Sequence, residues 1–595
     1  MISNNRHIRQ QFDTRTHILM LFLLLLMMTL FARLLYLQWY QHENLLLQSN
    51  NNRINVVPVL PTRGLILDRD GIPLASNKIS YRIHLIPEHC EDIHALLVDL
   101  QNKLLWSDKK LNYIERQVKR SRRDRPMLID DQLTWMQVAP IAARIHHYPG
   151  LDLLSSTHRY YPYKELTSHL IGYLSLARDN DLKNGYRHTE YVGRTGLERE
   201  LENELHGITG SQQEEVNARG QRVSILHTVP ASIGDNINTT IDIGLQQTIW
   251  DQLGDETGAV VVMDVHSGEV IALVSKPGFN SNLFITGLGQ EQWDDWRFNP
   301  QKPLMNRAIQ ATYPPASTLK VITSLAGLKH HSPLIHQSTY CNGFIELNDR
   351  KLRCWNKRGH GQVNLEQSLS QSCDVFYYKL GEELGMPALV DEMKNWGLGT
   401  FTHIGLTPES DGNIPTPLQI LSNGRTRPWY QGNIMITAIG QGSTTVTPLQ
   451  IARFAAAIAN GGDILKPQLI LHQQSEILWH ADVQPEHLRE VQHAMRSVVT
   501  QRHGTAHRVL EGAKWDIAGK TGTAQVVAME RDKSKQDTVV ERHLKDHAWF
   551  MGYAPFDHPQ IAFAILVEHG EHGSSSAAPI AKTIVDYLAD KESAQ

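Results

Sequence analysis

The chain has 595 residues, with 58 Lys and Arg against 62 Asp and Glu and a formal charge of -4 at pH 7. That length exceeds what one hydrophobic core supports and sets an expectation of two or three domains. The nearly balanced charge, with no basic stripe, argues against nucleic acid as a partner, and the composition is that of folded globular domains.

The first informative element is Ile18 to Tyr40, ILMLFLLLLMMTLFARLLYLQWY, broken only by Thr29, Arg33 and Gln38. It is long enough to cross a bilayer, which takes a helix of about 20 residues. A signal peptide would carry a shorter apolar run and a small-residue cleavage site. Here Tyr36, Trp39 and Tyr40 suit the far interface instead, so residues 18–40 read as a retained single-pass anchor rather than a buried core helix. Arg6, Arg9 and Arg15 precede it against one acid, Asp13. This asymmetry predicts a cytoplasmic tail over 1–17 and an extracytoplasmic remainder.

Residues 41–232 read as an elongated mixed α/β domain. VVPVLPTRGLILDRDGIPLASN, from Val56, passes from a strand-like run into an Asp-Arg-Asp-Gly turn, and VGRTGLERELENELHGITG, from Val192, reads as a Gly-punctuated helix. Arg63, Asp68, Arg194 and Glu198 are expected to form a structural ion-pair set, since nothing in this part has catalytic spacing. The pattern changes near Ile233. GAVVVMDVHSGEVIALVS, from Gly258, is a hairpin signal, and TPLQIARFAAAIANGG, from Thr447, has Thr as N-cap, Pro at the first helical position and Asn-Gly as a stop. Strand signals return in DIAGKTGTAQVV, AWFMGYAP and QIAFAILVEHG, before a last helix, APIAKTIVDYLAD. The charged run Glu530 to Asp546 reads as a loop between strands. Strands at both ends of a helical insert predict one sheet assembled from the two ends of a domain covering 233–595.

YPPASTLKVITSLAGL, Tyr313 to Leu328, sets a hydroxyl and an amine three residues apart. Alone, Ser317 reads as a helix cap. Leu319, Ile322, Leu325 and Ala326 recur at helical spacing, however, with Val321 and Leu328 on the flanks, so the helix is expected to be buried. A lysine there, one turn from Ser317, could take the serine proton as a neutral amine. Two further short patterns follow, Ser372-Cys373-Asp374 and Lys520-Thr521-Gly522-Thr523. In this order the three match the constellation of penicillin-binding proteins and class A β-lactamases.

With RGLILDRDGIPLA, RYYPY and HLIGY, NRAIQATYPPASTLK, RPWYQGN with IGQG, and KTGTAQV, the chain resembles class B penicillin-binding proteins over nearly its whole length, and the elongation-type penicillin-binding protein 2 in particular. The resemblance implies an α+β protein: a single N-terminal transmembrane helix, a pedestal (dimerisation-type) domain, and a transpeptidase domain with an antiparallel sheet flanked by helices. It implies a peptidoglycan D,D-transpeptidase of the inner membrane, acting in elongation and cell-shape maintenance and acylated by β-lactams. Asp374 stands where most relatives have Asn, which fits the elongation branch. Ser317 is expected to be the nucleophile and Lys320 its base, with Ser372 passing a proton to the leaving nitrogen and Asp374 orienting Lys320 or the substrate. Lys520, Thr521 and Thr523, with Gly522 between them, are expected to bind the donor carboxylate. The N–H groups of Ser317 and Thr523 suit an oxyanion. Expected partners are stem peptides, a SEDS-family glycosyltransferase that makes the glycan strand, and other elongation-complex proteins. Catalysis needs no cofactor.

Cys341, Cys354, His360 and Cys373 gather three thiols and an imidazole within 33 residues, as Cys90 stands apart. The spacing fits a structural Cys3His zinc site, the extracytoplasmic location fits a Cys341–Cys354 disulfide, and unligated thiols are the third reading. Some relatives carry a metal in this region. The rival functions are a class A β-lactamase, which the anchor and pedestal oppose, a D,D-carboxypeptidase using the same motifs, and a β-lactam sensor or scaffold, which the intact motif set opposes. The pedestal segment has no room or signature for a polymerase.

Overall fold

The computed structural model describes residues 4–123, 126–187, 190–217, 222–348, 350–420, 424–526 and 541–594, so most of the charged run from Glu530 lies outside the described residues. The chain divides into two compact units. One comprises 1–62, 79–157 and 208–232; the other comprises 63–78, 158–207 and 233–595. Two segments of the expected pedestal thus fold within the same unit as the transpeptidase motifs.

The first unit begins with helix α1, Asn4–Leu35. The span Arg15–Tyr40 is long and apolar enough to cross a membrane, and none of it is buried by protein. Leu21 and Met27 are each 71% exposed, which suits a segment facing lipid and not a core helix. Beyond it, Gly210–Val216 pairs antiparallel with Ile54–Val59 on one side and Arg222–Val229 on the other. Residues 81–85 pair with Met127–Leu133. Two helices, Ile93–Leu104 and Asp108–Arg120, start at Asp92 and Ser107, whose side chains accept the N–H groups of Ala95 and Lys110. Their inner faces bury Leu97, Leu100, Ile114 and Val118 against Ile83, Val138 and Ile141.

In the second unit the predicted hairpin is strands β1, Gly258–Asp264, and β2, Val270–Lys276. The Asp264 carboxylate accepts the N–H groups of His266 and Ser267 and so closes the turn. Helices α2, Lys320–Lys329, α3, Asp374–Asn395, and α4, Pro448–Asn460, form the insert. Strands β3, Ala518–Ala524, β4, His547–Ala554, and β5, Ile561–Val567, and helix α5, Ala578–Ala594, complete the chain. The strands assemble as β2-β1-β5-β4-β3, antiparallel throughout, with β3 at one edge. Alternate residues serve different layers, as strand geometry requires. Val260, Val262, Phe550, Phe563 and Ile565 pack with Ile584 and Val585 of α5. Val261, Trp549, Met551, Ala564 and Leu566 face the cluster that holds α2, α3 and α4. Helix α4 keeps the predicted ends: Thr447 and Gln450 exchange capping hydrogen bonds and Gly461 turns left-handed.

The expected ion-pair set regroups. Glu198, fully buried, accepts Arg63 Nε at Oε2 and Arg159 Nε at Oε1, each at 2.6 Å. Arg63 also reaches Glu202 at 2.7 Å. Arg194 pairs instead with Asp181 at 2.7 Å, and Asp68 accepts the N–H groups of Asp70 and Ile72 to hold its own turn. Burial pushes the Glu198 carboxyl up, but the Arg159 and Arg63 charges overcome it and hold it below its ordinary 4.5. Its stabilisation is therefore complete above that value and is lost as pH falls through the depressed folded value. Glu198→Ala strands the buried Arg159 guanidinium and leaves Arg63 with Glu202, and should cost about 3–5 kcal/mol; an unfolding midpoint equal to that of the parent at neutral pH would show the cluster to be energetically idle.

Candidate functional site

One turn of 3₁₀ helix, Ala316–Leu319, feeds into α2 and carries Ser317. Ala316 is held left-handed, at φ 52°, a conformation unusual for a residue with a Cβ. Its neighbours fix it there. Its N–H donates to the Gly440 carbonyl at 2.8 Å, and a Cβ on Gly440 would stand 2.0 Å from the Ala316 oxygen. Thr318 Oγ1 donates to the Pro315 carbonyl, and Trp549 Nε1 donates to that of Pro314 at 3.0 Å. Ser317 is half-buried and makes no capping bond, so the cap reading is not what the turn uses it for. Leu319, Val321, Ile322, Leu325, Ala326 and Leu328 are all buried, as their spacing predicts.

Lys320 has no exposure to water. Its Nζ donates to Ser372 O at 3.0 Å, to Ser372 Oγ at 3.2 Å and to Asp374 Oδ1 at 2.6 Å. Ser372 sits at φ 57°, in the turn between helix Leu365–Ser370 and α3, which aims both of its oxygens at the amine. Asp374 opens α3, where the helix N-terminus favours a carboxylate. Its second oxygen accepts the Trp355 N–H at 2.9 Å. Burial pushes the Asp374 carboxyl up, with the Lys320 charge opposing. The geometry thus joins Lys320, Ser372 and Asp374 in one hydrogen-bonded set, while no hydrogen bond links Lys320 to Ser317 Oγ among the described residues. Such bonds commonly tighten only in the complex.

The third pattern lies on β3. Lys520, fully buried, donates from Nζ to the Thr521 carbonyl at 2.9 Å, and Thr521 Oγ1 shares a hydrogen bond of 2.7 Å with Thr505 Oγ1. Burial, then the Lys320 charge, pushes the Lys520 ammonium well below the ordinary lysine value, with Asp374 pulling the other way. Gly522 is required by close approach: a Cβ would meet Trp549 at 3.0 Å and Thr318 at 3.3 Å. That closeness sets β3 against the Ser317 turn. Thr523 gives its carbonyl to Gln441 Nε2 at 2.9 Å.

No disulfide joins the cysteines. Cys341, Cys354, His360 and Cys373 bring their ligand atoms within 4.8 Å of one another. The Cys341 and Cys354 sulfurs each lie 3.6 Å from His360 Nδ1. Ordinary zinc–sulfur and zinc–nitrogen bonds in a tetrahedron place those atoms about 3.6 Å apart, so the donor set fits that ion. The Asp374 N–H donates to Cys354 Sγ at 3.4 Å, a bond that suits a thiolate. Cys90 lies elsewhere, donating to the Pro149 carbonyl.

Sequence reading placed these residues but missed two contributors. Trp355 acts through its backbone N–H, which leaves no sequence signature. Gln441 stands inside the IGQG motif, which marked the family without assigning that side chain a role.

A family model described as the penicillin binding protein transpeptidase domain matches residues 258–586, and one described as the penicillin-binding protein dimerisation domain matches 58–239. The peptidoglycan D,D-transpeptidase MrdA of Haemophilus influenzae is 33% identical over 97% of this chain and 92% of its own length. The solved complex of penicillin-binding protein 2 with MreC from Helicobacter pylori aligns with a TM-score of 0.79 at 29% identity, over 90% of this chain and 99% of that one. A solved structure of a peptidoglycan synthase complex that coordinates polymerization and crosslinking aligns with a TM-score of 0.70 at 27% identity, over 96% of this chain and 97% of that one. With three motifs brought together around one turn and likeness along nearly the whole length, the chain belongs to the class B penicillin-binding proteins, in the branch of penicillin-binding protein 2.

Proposed function

We propose that this chain is a membrane-anchored peptidoglycan D,D-transpeptidase that cross-links stem peptides during cell-wall elongation and shape maintenance, through an acyl-enzyme on Ser317. The observation that carries this reading is the buried Lys320–Ser372–Asp374 set one turn from the half-buried Ser317 hydroxyl. Ser317 Oγ attacks the carbonyl of the penultimate D-Ala and gives its proton to Lys320 in the neutral form. The carbonyl oxygen, now an oxyanion, takes the N–H groups of Ser317 and Thr523, donors of a kind worth about 10²- to 10³-fold each. As the tetrahedral intermediate collapses, the C–N bond breaks and the proton passes from Lys320 through Ser372 Oγ to the departing D-Ala nitrogen. An acceptor amine then attacks the ester, losing its proton by the reverse route, and Ser317 is restored. Asp374 holds Lys320 in register, and Lys520, Thr521 and Thr523 receive the donor carboxylate. A β-lactam presents a carboxylate and a strained amide to the same groups.

The tail is assigned to the cytoplasm by its arginines, placing the site beside its substrate outside the inner membrane. A SEDS-family glycosyltransferase and proteins of the elongation complex are its partners in this reading, which is supported by the two assemblies among its structural relatives; failure of the full chain to co-purify with that glycosyltransferase from detergent extracts counts against it. Cys341, Cys354, His360 and Cys373 would hold a structural zinc, a set of four protein donors that would leave the ion no part in the chemistry. Cys354 and Cys373, which flank the Trp355 and Asp374 contacts, would be fixed by such an ion.

Intact-mass measurement with benzylpenicillin tests the nucleophile: the parent gains one adduct and Ser317→Ala gains none, and an unmodified parent defeats the enzymatic reading. Added acceptor amine should divert the acyl group from a peptide donor, whereas hydrolysis alone would indicate a carboxypeptidase. Under native conditions the parent should carry one zinc, lost in Cys354→Ser, and a metal-free parent from zinc-replete medium removes the metal assignment. Because a charged Lys520 receives the carboxylate, acylation should fall on the alkaline side at a pH below the ordinary lysine value of 10.5. Lys520→Arg should move that limb upward; a limb unchanged by the substitution assigns it to another group.

A further inference from the structure

Among the described residues, strand β3 has β4 on one side and no strand on the other. In an extended strand the N–H and C=O of one residue point the same way and alternate along the chain. The Thr521 carbonyl accepts Lys520 Nζ and the Thr523 carbonyl accepts Gln441 Nε2, so Thr521, Thr523 and Gln525 present their backbone groups to the free edge. Free edges of this kind are templates for an added chain.

This edge is not bare. The single side-chain amide of Gln441 donates to the Thr523 carbonyl at 2.9 Å and accepts the Gln525 N–H at 3.4 Å. These are the acceptor and donor, two residues apart, that an edge strand offers to an incoming peptide group. The turn that carries Gln441 is stiff. Gly440 and Gly442 flank it at φ 74° and 90°, Gly440 is pinned against Ala316, and the Gln441 N–H donates to Ile436 O at 3.1 Å. The side chain, by contrast, is half-buried and tied by its amide to β3. Its backbone is fixed by the turn, while its amide is held by the two hydrogen bonds to β3.

We propose that the Gln441 amide is a place-holder on the edge of β3, occupying the Thr523 carbonyl until the amide N–H of an extended peptide, or of a β-lactam acylamino side chain, displaces it. The inference rests on the transpeptidase reading above. A ligand with a matching N–H exchanges one hydrogen bond for another. A ligand without it gains nothing at Thr523, and if it pushes the amide aside it leaves a carbonyl unpaired. Gln441 is therefore a positioning residue that lowers the net gain of ligands carrying the peptide-like donor and weighs less on ligands that leave the amide in place.

Acylation of the full chain in detergent micelles tests this, with benzylpenicillin, whose 6-acylamino side chain carries the N–H, and imipenem, whose 6-hydroxyethyl group carries none. Removing the competitor in Gln441→Ala should raise the second-order constant for benzylpenicillin roughly fivefold, the equivalent of one net hydrogen bond. The change should lie in the half-saturating concentration, with the limiting acylation rate unaltered, and imipenem should move by less than twofold. Gln441→Glu keeps the acceptor for Gln525 and loses the donor to Thr523; it should also favour benzylpenicillin, and it decides the matter if the alanine variant fails to fold. Equal or slower benzylpenicillin acylation in the folded variants, or an equal rise for both drugs, overturns the place-holder. A parent that neither drug acylates fails earlier, at the transpeptidase reading, and takes this inference with it.

Discussion

A lysine with no access to water must find an acceptor for each of its protons, and that requirement organises the site. Lys320 is such a residue, and its acceptors are the two oxygens of Ser372 and one of Asp374. An unpaired ammonium at that depth would cost several kcal/mol. Three pieces of chain must therefore converge: α2, the left-handed turn at Ser372 and the first turn of α3. Asp374 makes demands in turn, met by the Trp355 N–H and by Cys354 as acceptor for its own N–H. Trp355 and Cys354 belong to the segment gathered by the cysteine–histidine cluster. The cluster, the middle motif and the helix that follows Ser317 form one connected object, so disturbance at any of them reaches the amine.

The same region is electrostatically unfinished. Lys520 is as buried as Lys320 and is destabilised in its charged form first by burial and then by that neighbour, against one carboxylate, Asp374. Below the unfolded lysine value the unfolded chain binds this proton more readily than the folded one, so the resting protein carries a penalty there. An anionic ligand relieves it. Stability withheld from the resting state in this way is available to an anion that docks beside the ammonium, the usual exchange at sites built to act.

Local signals survive folding where a few adjacent residues decide the outcome. The Thr447-Pro448 start, the turn at Asp264 to Gly268 and the buried face of α2 are all readable, because caps, turns and helical periodicity act over one or two turns. The three motifs are readable because each is a short run. Partner choice across the chain is less so. Arg63, Asp68, Arg194 and Glu198 were visible as charges, yet Glu198 chose Arg159, 39 residues away, and Arg63, 135 away, while Arg194 took Asp181. Charge has no register in the sequence, so composition alone cannot assign pairs. Ser317 and Lys320 likewise sit three apart, but the amine's hydrogen bonds run to residues more than 50 positions on. The backbone N–H of Trp355 leaves no trace at all.

Strand β5 lies between β1 and β4, although β1 precedes it by some 300 residues. A chain synthesised from its N-terminus delivers β1, β2 and the helical insert long before the strand that joins them to β4. Until residues 547–567 emerge, β3 has no partner and no place beside the Ser317 turn. Such distant pairing is slow to form. Its benefit is timing: a half-made chain holds a serine and a lysine but no assembled cleft, so the three motifs meet only when synthesis is nearly complete.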